Sequence, residues 1–400
     1  MIPRDSYFRQ IEPFIGKNII KVLVGVRRCG KSTLLEMLYQ RFLGQGISAD
    51  SMLHITLESS EFASLDTEEA LVDYVNNHID KSQHVKLLFD EIQEVRGWEN
   101  ALRSFMVDLD ADIYITGSNA HVLSSDLATY ITGRYVTINV YPLSFREFCP
   151  AYIAANPGAT ERSAFTAFVV QGGFPFQSAL EFESNPSIKY LEDLFSTILL
   201  KDVVKRNSIR DVDLLERLAR YAAAEEGHLL SMKSISDYLK SERRKTSSET
   251  IANYMNAMEK AFLLYRAPRE DAVGKQRLAF NEKWYVVDQG LRQAMGMSNQ
   301  MNIDQVLEGI VFIELKRRGY EVSIGKVGDL EVDFIARRGS EMEYYQVTYL
   351  MADDRTRERE FASLLAIPDN YPKFVLSMDE FDFSKQGIRA VNLVDWLLGE

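Results

Sequence analysis

Residues 25–32 read Gly25-Val26-Arg27-Arg28-Cys29-Gly30-Lys31-Ser32, a complete fit to G-x-x-x-x-G-K-S/T, and Thr33 follows. That spacing suits one chemistry. The glycines let the backbone wrap closely around phosphate oxygens, while loop amides backed by a helix N-terminus supply partial positive charge. Lys31 would reach the β- and γ-phosphates of ATP, and the Ser32 hydroxyl would ligate Mg2+. The expected nucleotide-binding set is Gly25, Val26, Arg27, Arg28, Cys29, Gly30, Lys31, Ser32 and Thr33. An apolar strand pattern precedes the loop and a helical pattern follows it, which is the context the motif requires.

A second group lies further along. The apolar run Leu87-Leu88-Phe89 ends in Asp90-Glu91. On its own, a strand-end Asp-Glu pair is an ordinary solvated loop start. Beside a phosphate-binding loop, Asp90 would hold Mg2+ through water and Glu91 would act as general base on the attacking water. Another strand pattern ends in Ser118-Asn119, either of which could orient the water near the γ-phosphate. The plain alternative is a Gly-Ser-Asn turn. Arg134 opens the next strand and could act as an arginine finger, in cis or across a subunit boundary. Arg27 and Arg28 could contact nucleotide or a neighbour, although a solvated surface arginine is the default for all three.

These residues need a frame that brings separated segments together. Strand patterns at 19–25, 51–58, 85–90, 112–117 and 134–141 alternate with helical patterns such as 32–43 and 68–79. That alternation predicts the α/β class, a P-loop parallel sheet flanked by helices on both faces. The expected division of the chain is 1–145 for this domain, 146–210 for a helical linker or lid, 211–300 for a winged-helix-like domain, and 301–400 for a mixed α/β nuclease-like domain.

The segments GVRRCGKST, LLFDEIQEVRGWENALRSF, ITGSNAHVL, the GRY strand and YPLSFREF resemble a large prokaryotic AAA-type ATPase family. Its members carry a C-terminal domain of unknown function, whose landmarks GGFPF (172–176), LLKDVVKR (199–206) and KWYVVDQGLR (283–292) are similar to. The resemblance spans almost the whole chain and implies ATP binding and hydrolysis. It also implies that strand 112–117 lies between the P-loop strand and the strand ending in Asp90-Glu91, with its tip in the sensor role.

The second half looks like a winged helix over 229–270. Thr246 with Glu249 fits a capping box that would start its recognition helix, and Arg243, Arg244 and Lys245 stand just before it, suited to DNA phosphate. The other reading is a winged helix used only for protein contacts. The last hundred residues are similar to the PD-(D/E)xK phosphodiesterase arrangement, with Glu308 on a helix and Asp333 on a strand. There the Glu-x-Lys positions read Gln346-Val347-Thr348. A neutral amide replaces a hard anionic ligand and the lysine is missing, so the fold is expected to persist and the catalysis to be lost. Only a lysine from a neighbouring element, such as Lys316 or Lys326, could take the missing place.

A net charge of −12 opposes broad nucleic-acid affinity and leaves room only for a local basic patch. Two distant cysteines make no disulfide framework, and no apolar run is long enough to span a bilayer. A cytoplasmic protein is expected, and homo-oligomerisation is compatible with Arg134 acting in trans. The leading function is a switch or motor ATPase that moves its C-terminal domains. An ATP-regulated DNA-binding or nuclease protein of genome defence is the alternative, and a scaffold that binds ATP without turnover is a third.

Overall fold

The computed structural model describes residues 1–399 apart from 121–130, 132, 242–245 and 275–276, and of 277–281 the backbone alone. The chain forms two compact units, one of Met1–Tyr141 with Lys260–Phe262, the other of Pro142–Glu259 with Leu263–Glu400.

In the first unit, β1 (Ile20–Val24), β2 (Met52–Thr56), β3 (Val85–Asp90), β4 (Ala111–Gly117) and β5 (Tyr135–Asn139) form one sheet in the order β2-β3-β4-β1-β5. All pairings are parallel. The three central strands are buried along their whole length, whereas β2 and β5 at the edges are only partly covered. This is how the near-continuous apolar runs of a sheet covered on both faces should distribute. Helix α1 (Lys31–Gly44) runs from the loop after β1. Strand β4 lies between β1 and β3, so the tips carrying the P-loop, Asp90-Glu91 and Ser118-Asn119 emerge side by side at the C-terminal edge.

Charged residues occupy the opposite end of these strands. Asp112, fully buried on β4, accepts from Lys21 on β1, from Lys86 Nζ on β3 (2.9 Å), from the Tyr114 hydroxyl (2.8 Å) and from the Gly16 amide (3.0 Å). Four donors, two of them charged, are what makes a buried carboxylate tolerable.

The second unit is built on an eight-stranded mixed sheet, ordered β13-β12-β11-β10-β9-β7-β8-β6. Its first part runs helix α2 (Val212–Ala224), β6 (Leu229–Leu230), α3 (Met232–Ser241), α4 (Ser248–Lys260), then the hairpin β7 (Leu264–Asp271) and β8 (Arg277–Val286). Its last part runs α5 (Ile303–Arg317), the antiparallel meander β9 (Glu321–Val327), β10 (Leu330–Arg338) and β11 (Glu341–Val347), then α6 (Asp354–Leu365), β12 (Lys373–Ser377) and β13 (Ile388–Asn392). Val332, Ile335, Tyr344, Phe361, Leu364 and Val375 form the core of this last part.

Two expectations are corrected here. The boundary placed between 300 and 301 does not divide the sheet, because β7 pairs in parallel with β9 through Arg269↔Ile324 and Asp271↔Lys326. An edge strand with free backbone groups is stabilised by such pairing. The capping box also shifts by one residue. Ser247, not Thr246, caps α4, its Oγ accepting from the Thr250 amide at 3.0 Å, while the Thr246 carbonyl accepts from Ser236 Oγ.

The GGFPF and VVDQGLR landmarks interlock. Asp288 accepts from the amides of Gly173 (2.7 Å) and Gly290 (2.8 Å). A Cβ on Gly290 would stand 2.0 Å from the Gln171 carbonyl oxygen, and one on Gly173 would stand 2.2 Å from that of Leu143. The glycines are present because backbone passes against backbone there.

Candidate functional site

The loop after β1 is pinned from beneath. A Cβ on Gly25 would lie 2.0 Å from the Val140 carbonyl oxygen, so only glycine fits. Cys29 Sγ donates to that same carbonyl at 3.1 Å, and Arg4 donates to the carbonyls of Cys29 (3.1 Å) and Tyr141 (2.7 Å). The Cys29 side chain is thus a buried anchor under the loop, and burial raises its thiol above the ordinary range. Val26 is likewise buried. Gly30, at φ 103°, stands immediately before α1, whose 14 residues present their first amides to the loop. Lys31 Nζ donates to the carbonyls of Gly25 (2.9 Å) and Val26 (3.1 Å), which places its ammonium over the loop.

Arg27 faces Glu58 at 3.5 Å, and Arg28, at φ 67°, projects into solvent at the loop's crest. Ser32 and Thr33 are exposed on the first turn of α1.

Ser32 Oγ donates to Asp90 Oδ1 at 3.1 Å, joining the loop to the end of β3. The same carboxylate oxygen accepts from Thr116 Oγ1 at 2.6 Å, and Thr116 Oγ1 in turn accepts from the Glu91 amide at 2.8 Å. Burial pushes Asp90 above the usual carboxylate range against the opposing hydrogen bonds from Thr116 and Ser32. Glu91 sits at φ 54°, a left-handed conformation that costs a non-glycine residue of order 1 kcal/mol and that clusters at functional sites. Its Oε2 accepts from Gln93 Nε2. Ser118 and Asn119 are fully buried at the tip of β4.

The donor set suits Mg2+ and a polyphosphate. A serine hydroxyl and an aspartate within hydrogen-bond distance offer hard oxygens, and a lysine with a helix N-terminus faces the same space. Thr116 is absent from the sequence-based set. The available signal was a hydroxyl residue inside a strand otherwise built for burial.

Arg134 stands immediately before β5, as expected. Its carbonyl accepts from the Ile20 amide, so it stands at the N-terminal edge of the sheet, at the start of β1. The P-loop leaves the other end of that five-residue strand. At about 3.3 Å per residue the separation is roughly 16 Å. That separation does not suit an arginine finger acting within the same chain, and the Arg134 side chain is exposed.

In the second unit, Glu308, Asp333 and Gln346 do come together. Asp333 Oδ2 accepts from the Val347 amide at 2.8 Å, and Gln346 Oε1 accepts from Ser363 Oγ at 3.2 Å and from the Asp333 amide at 3.4 Å. Lys283, on β8, donates to Glu308 (2.9 Å) and to Glu331 (2.7 Å), and Tyr285 donates its hydroxyl to the same Glu308 oxygen at 2.6 Å. Lys316 lies instead among Glu321 and Glu259. Burial, reinforced by Glu308, pushes Asp333 well above the usual carboxylate range. This set does not fit Mg2+: an ammonium bridges two of the carboxylates, and the Gln346 carbonyl is turned to protein donors. Among the described residues no cluster of three or more His, Cys, Asp or Glu side chains is arranged to hold a metal. Arg243, Arg244 and Lys245 lie outside the described residues.

The fold and loop define an AAA-type P-loop protein. Residues 17–149 match the AAA domain family and residues 162–302 match a domain of unknown function (DUF8612). An uncharacterized protein of Haemophilus influenzae is 38% identical over 401 residues, covering 100% of this chain and 99% of that one. An uncharacterized protein of Methanocaldococcus jannaschii is 29% identical, covering 88% of this chain and 79% of its own. The chain belongs to this family of AAA-type P-loop proteins with a second domain of unknown function. Among solved structures, the Aeropyrum pernix Orc1 protein in complex with DNA aligns at TM-score 0.32 and 11% identity, over 74% of this chain and 92% of that one. A Pyrococcus horikoshii signal-transduction ATPase with a tetratricopeptide repeat sensor aligns at TM-score 0.31 and 10% identity, over 92% of this chain and 48% of that one. Among the described residues no helix is long and apolar enough to cross a membrane.

Proposed function

We propose that the chain hydrolyses Mg-ATP and works as a switch or motor ATPase in the cytoplasm, with hydrolysis rearranging its second unit. The observation that carries this reading is the continuous chain Ser32–Asp90–Thr116–Glu91, which ties the loop, the end of β3 and the tip of β4 into one hydrogen-bonded array. Lys31 and the first amides of α1 bind the terminal phosphates. Ser32 and Asp90 hold Mg2+, which when bound neutralises phosphate charge. Glu91 accepts the proton of the attacking water, and its intact carboxylate favours turnover over a scaffold that only binds nucleotide. Ser118 or Asn119 orients that water. Arg134 supplies transition-state charge to the site of a neighbouring copy, which makes a homo-oligomer part of the proposal.

A second reading rests on the order α2-β6-α3-α4-β7-β8, in which β6 pairs with β8 and β8 with β7, the element order of a winged helix. It makes the second unit a DNA-binding element regulated by ATP, with Arg243, Arg244 and Lys245 ahead of α4 as its phosphate contacts. ATPase rates measured with and without duplex DNA, for the wild type and for Lys31→Ala, separate the readings. Turnover that requires Lys31 and ignores DNA supports the first; stimulation by DNA supports the second. Unchanged turnover in Lys31→Ala contradicts both.

A further inference from the structure

The carboxylate cluster of the second unit raises a question of charge. Glu308 from α5, and Glu331 and Asp333 from β10, converge on one point of the sheet. A lysine stands in the middle of them. Lys283 is 3% exposed, and its ammonium lies 2.9 Å from Glu308 and 2.7 Å from Glu331. The carboxylate oxygen of Glu308 that meets this ammonium also accepts the Tyr285 hydroxyl at 2.6 Å. Burial works against the charge on Lys283, but Glu308, Asp333 and Glu331 more than offset it, so the ammonium keeps its proton above the ordinary lysine range. The remaining neutral ligand is committed elsewhere, since the Gln346 carbonyl accepts from Ser363 and from the Asp333 amide.

We infer that Lys283 is the resident cation of this cluster, an ammonium tethered to β8 that occupies the point where the carboxylates meet and excludes a divalent metal ion. Three consequences follow. A fixed positive charge offsets part of the negative charge of the acids without a bound ion. It also links β8 to α5 through Glu308 and to β10 through Glu331. The site is latent: removing the ammonium leaves carboxylate oxygens of the class that hard divalent cations take.

The test is Mn2+ binding at pH 8, followed by electron paramagnetic resonance, in an Asp90→Asn background that removes the metal-holding carboxylate of the nucleotide site. With Lys283 present, no Mn2+ binding should depend on Asp333 or Glu308. In Lys283→Ala one site should appear, at least tenfold tighter than any in the parent, and Glu308→Gln should remove it. Lys283→Arg should exclude metal as the parent does. The inference is overturned if the parent binds Mn2+ at a site that Asp333→Asn abolishes. It is equally overturned if Lys283→Ala, folded by near-ultraviolet circular dichroism, gains no site. Should Lys283→Ala fail to fold, the parent and Asp333→Asn arms still decide the matter.

Discussion

Thr116 Oγ1 lies 2.6 Å from Asp90 Oδ1 and donates to it, while accepting from the Glu91 amide at 2.8 Å. One hydroxyl on β4 therefore fixes both the residue assigned to Mg2+ and the residue assigned to the attacking water. The bond to the Asp90 carboxylate contributes about 1.5–3 kcal/mol, enough to decide where that acid points, while the bond from the Glu91 amide holds the backbone of the next residue.

Thr116→Val keeps the shape of the strand and deletes that hydroxyl. ATP affinity is expected to hold within a few-fold while kcat falls by about tenfold or more, since 1.4 kcal/mol of misplaced transition-state stabilisation is a factor of ten. Steady-state kinetics with a separate nucleotide-binding titration check this. An equal loss in both quantities would show that Thr116 serves the fold and not the site.

Gly25→Ala drives a methyl group to within 2.0 Å of the Val140 carbonyl oxygen. Overpacking of this kind costs about 1–3 kcal/mol, and here the obstacle is backbone, which yields poorly. Thermal unfolding should show a lowered Tm together with weakened nucleotide binding. A Tm equal to that of the wild type contradicts the close approach.

Asp288 gives a pH signature. Burial raises its carboxyl to about 6 against the amides of Gly173, Leu291 and Gly290. The unfolded chain releases that proton near pH 4 whereas the folded chain keeps it, so the folded state binds more protons throughout the interval. This group's contribution is accordingly fully present below about pH 4 and is lost as pH rises toward 6, by at most about 1.4 kcal/mol per pH unit. Denaturant unfolding of Asp288→Asn between those limits should show a shallower fall with pH than the wild type. Parallel profiles would rule the assignment out.

Purified protein should leave supercoiled, linear and single-stranded DNA intact in Mg2+ or Mn2+. Gln346 offers only a neutral oxygen that is already hydrogen-bonded, and Lys283 is paired with Glu308 and Glu331. Cleavage that vanishes in Asp333→Ala contradicts this; cleavage that survives it comes from another protein.

The parts of the site that could be read in advance were local ones. The P-loop and Asp90-Glu91 are contiguous motifs at strand ends, and their chemistry follows from residue type and spacing. Thr116, Lys283 and Asp288 were not legible in that way, because each acts through partners that only tertiary pairing brings near, such as β4 lying beside β3. The place of Arg134 is legible from its position: a residue just ahead of a parallel strand lies at the sheet edge away from the loops that follow the strands. The boundary expected at 300 failed for a related reason, since the parallel pairing of β7 with β9 leaves no mark in local pattern.

The most direct measurement is ATP turnover by Glu91→Gln beside its ATP affinity. The amide preserves the shape of the side chain and cannot take a proton from water, so affinity should stay within a few-fold of the wild type while turnover falls by about two to four orders of magnitude. Wild-type turnover in Glu91→Gln contradicts the assignment of Glu91 as general base, and with it the proposed ATPase mechanism.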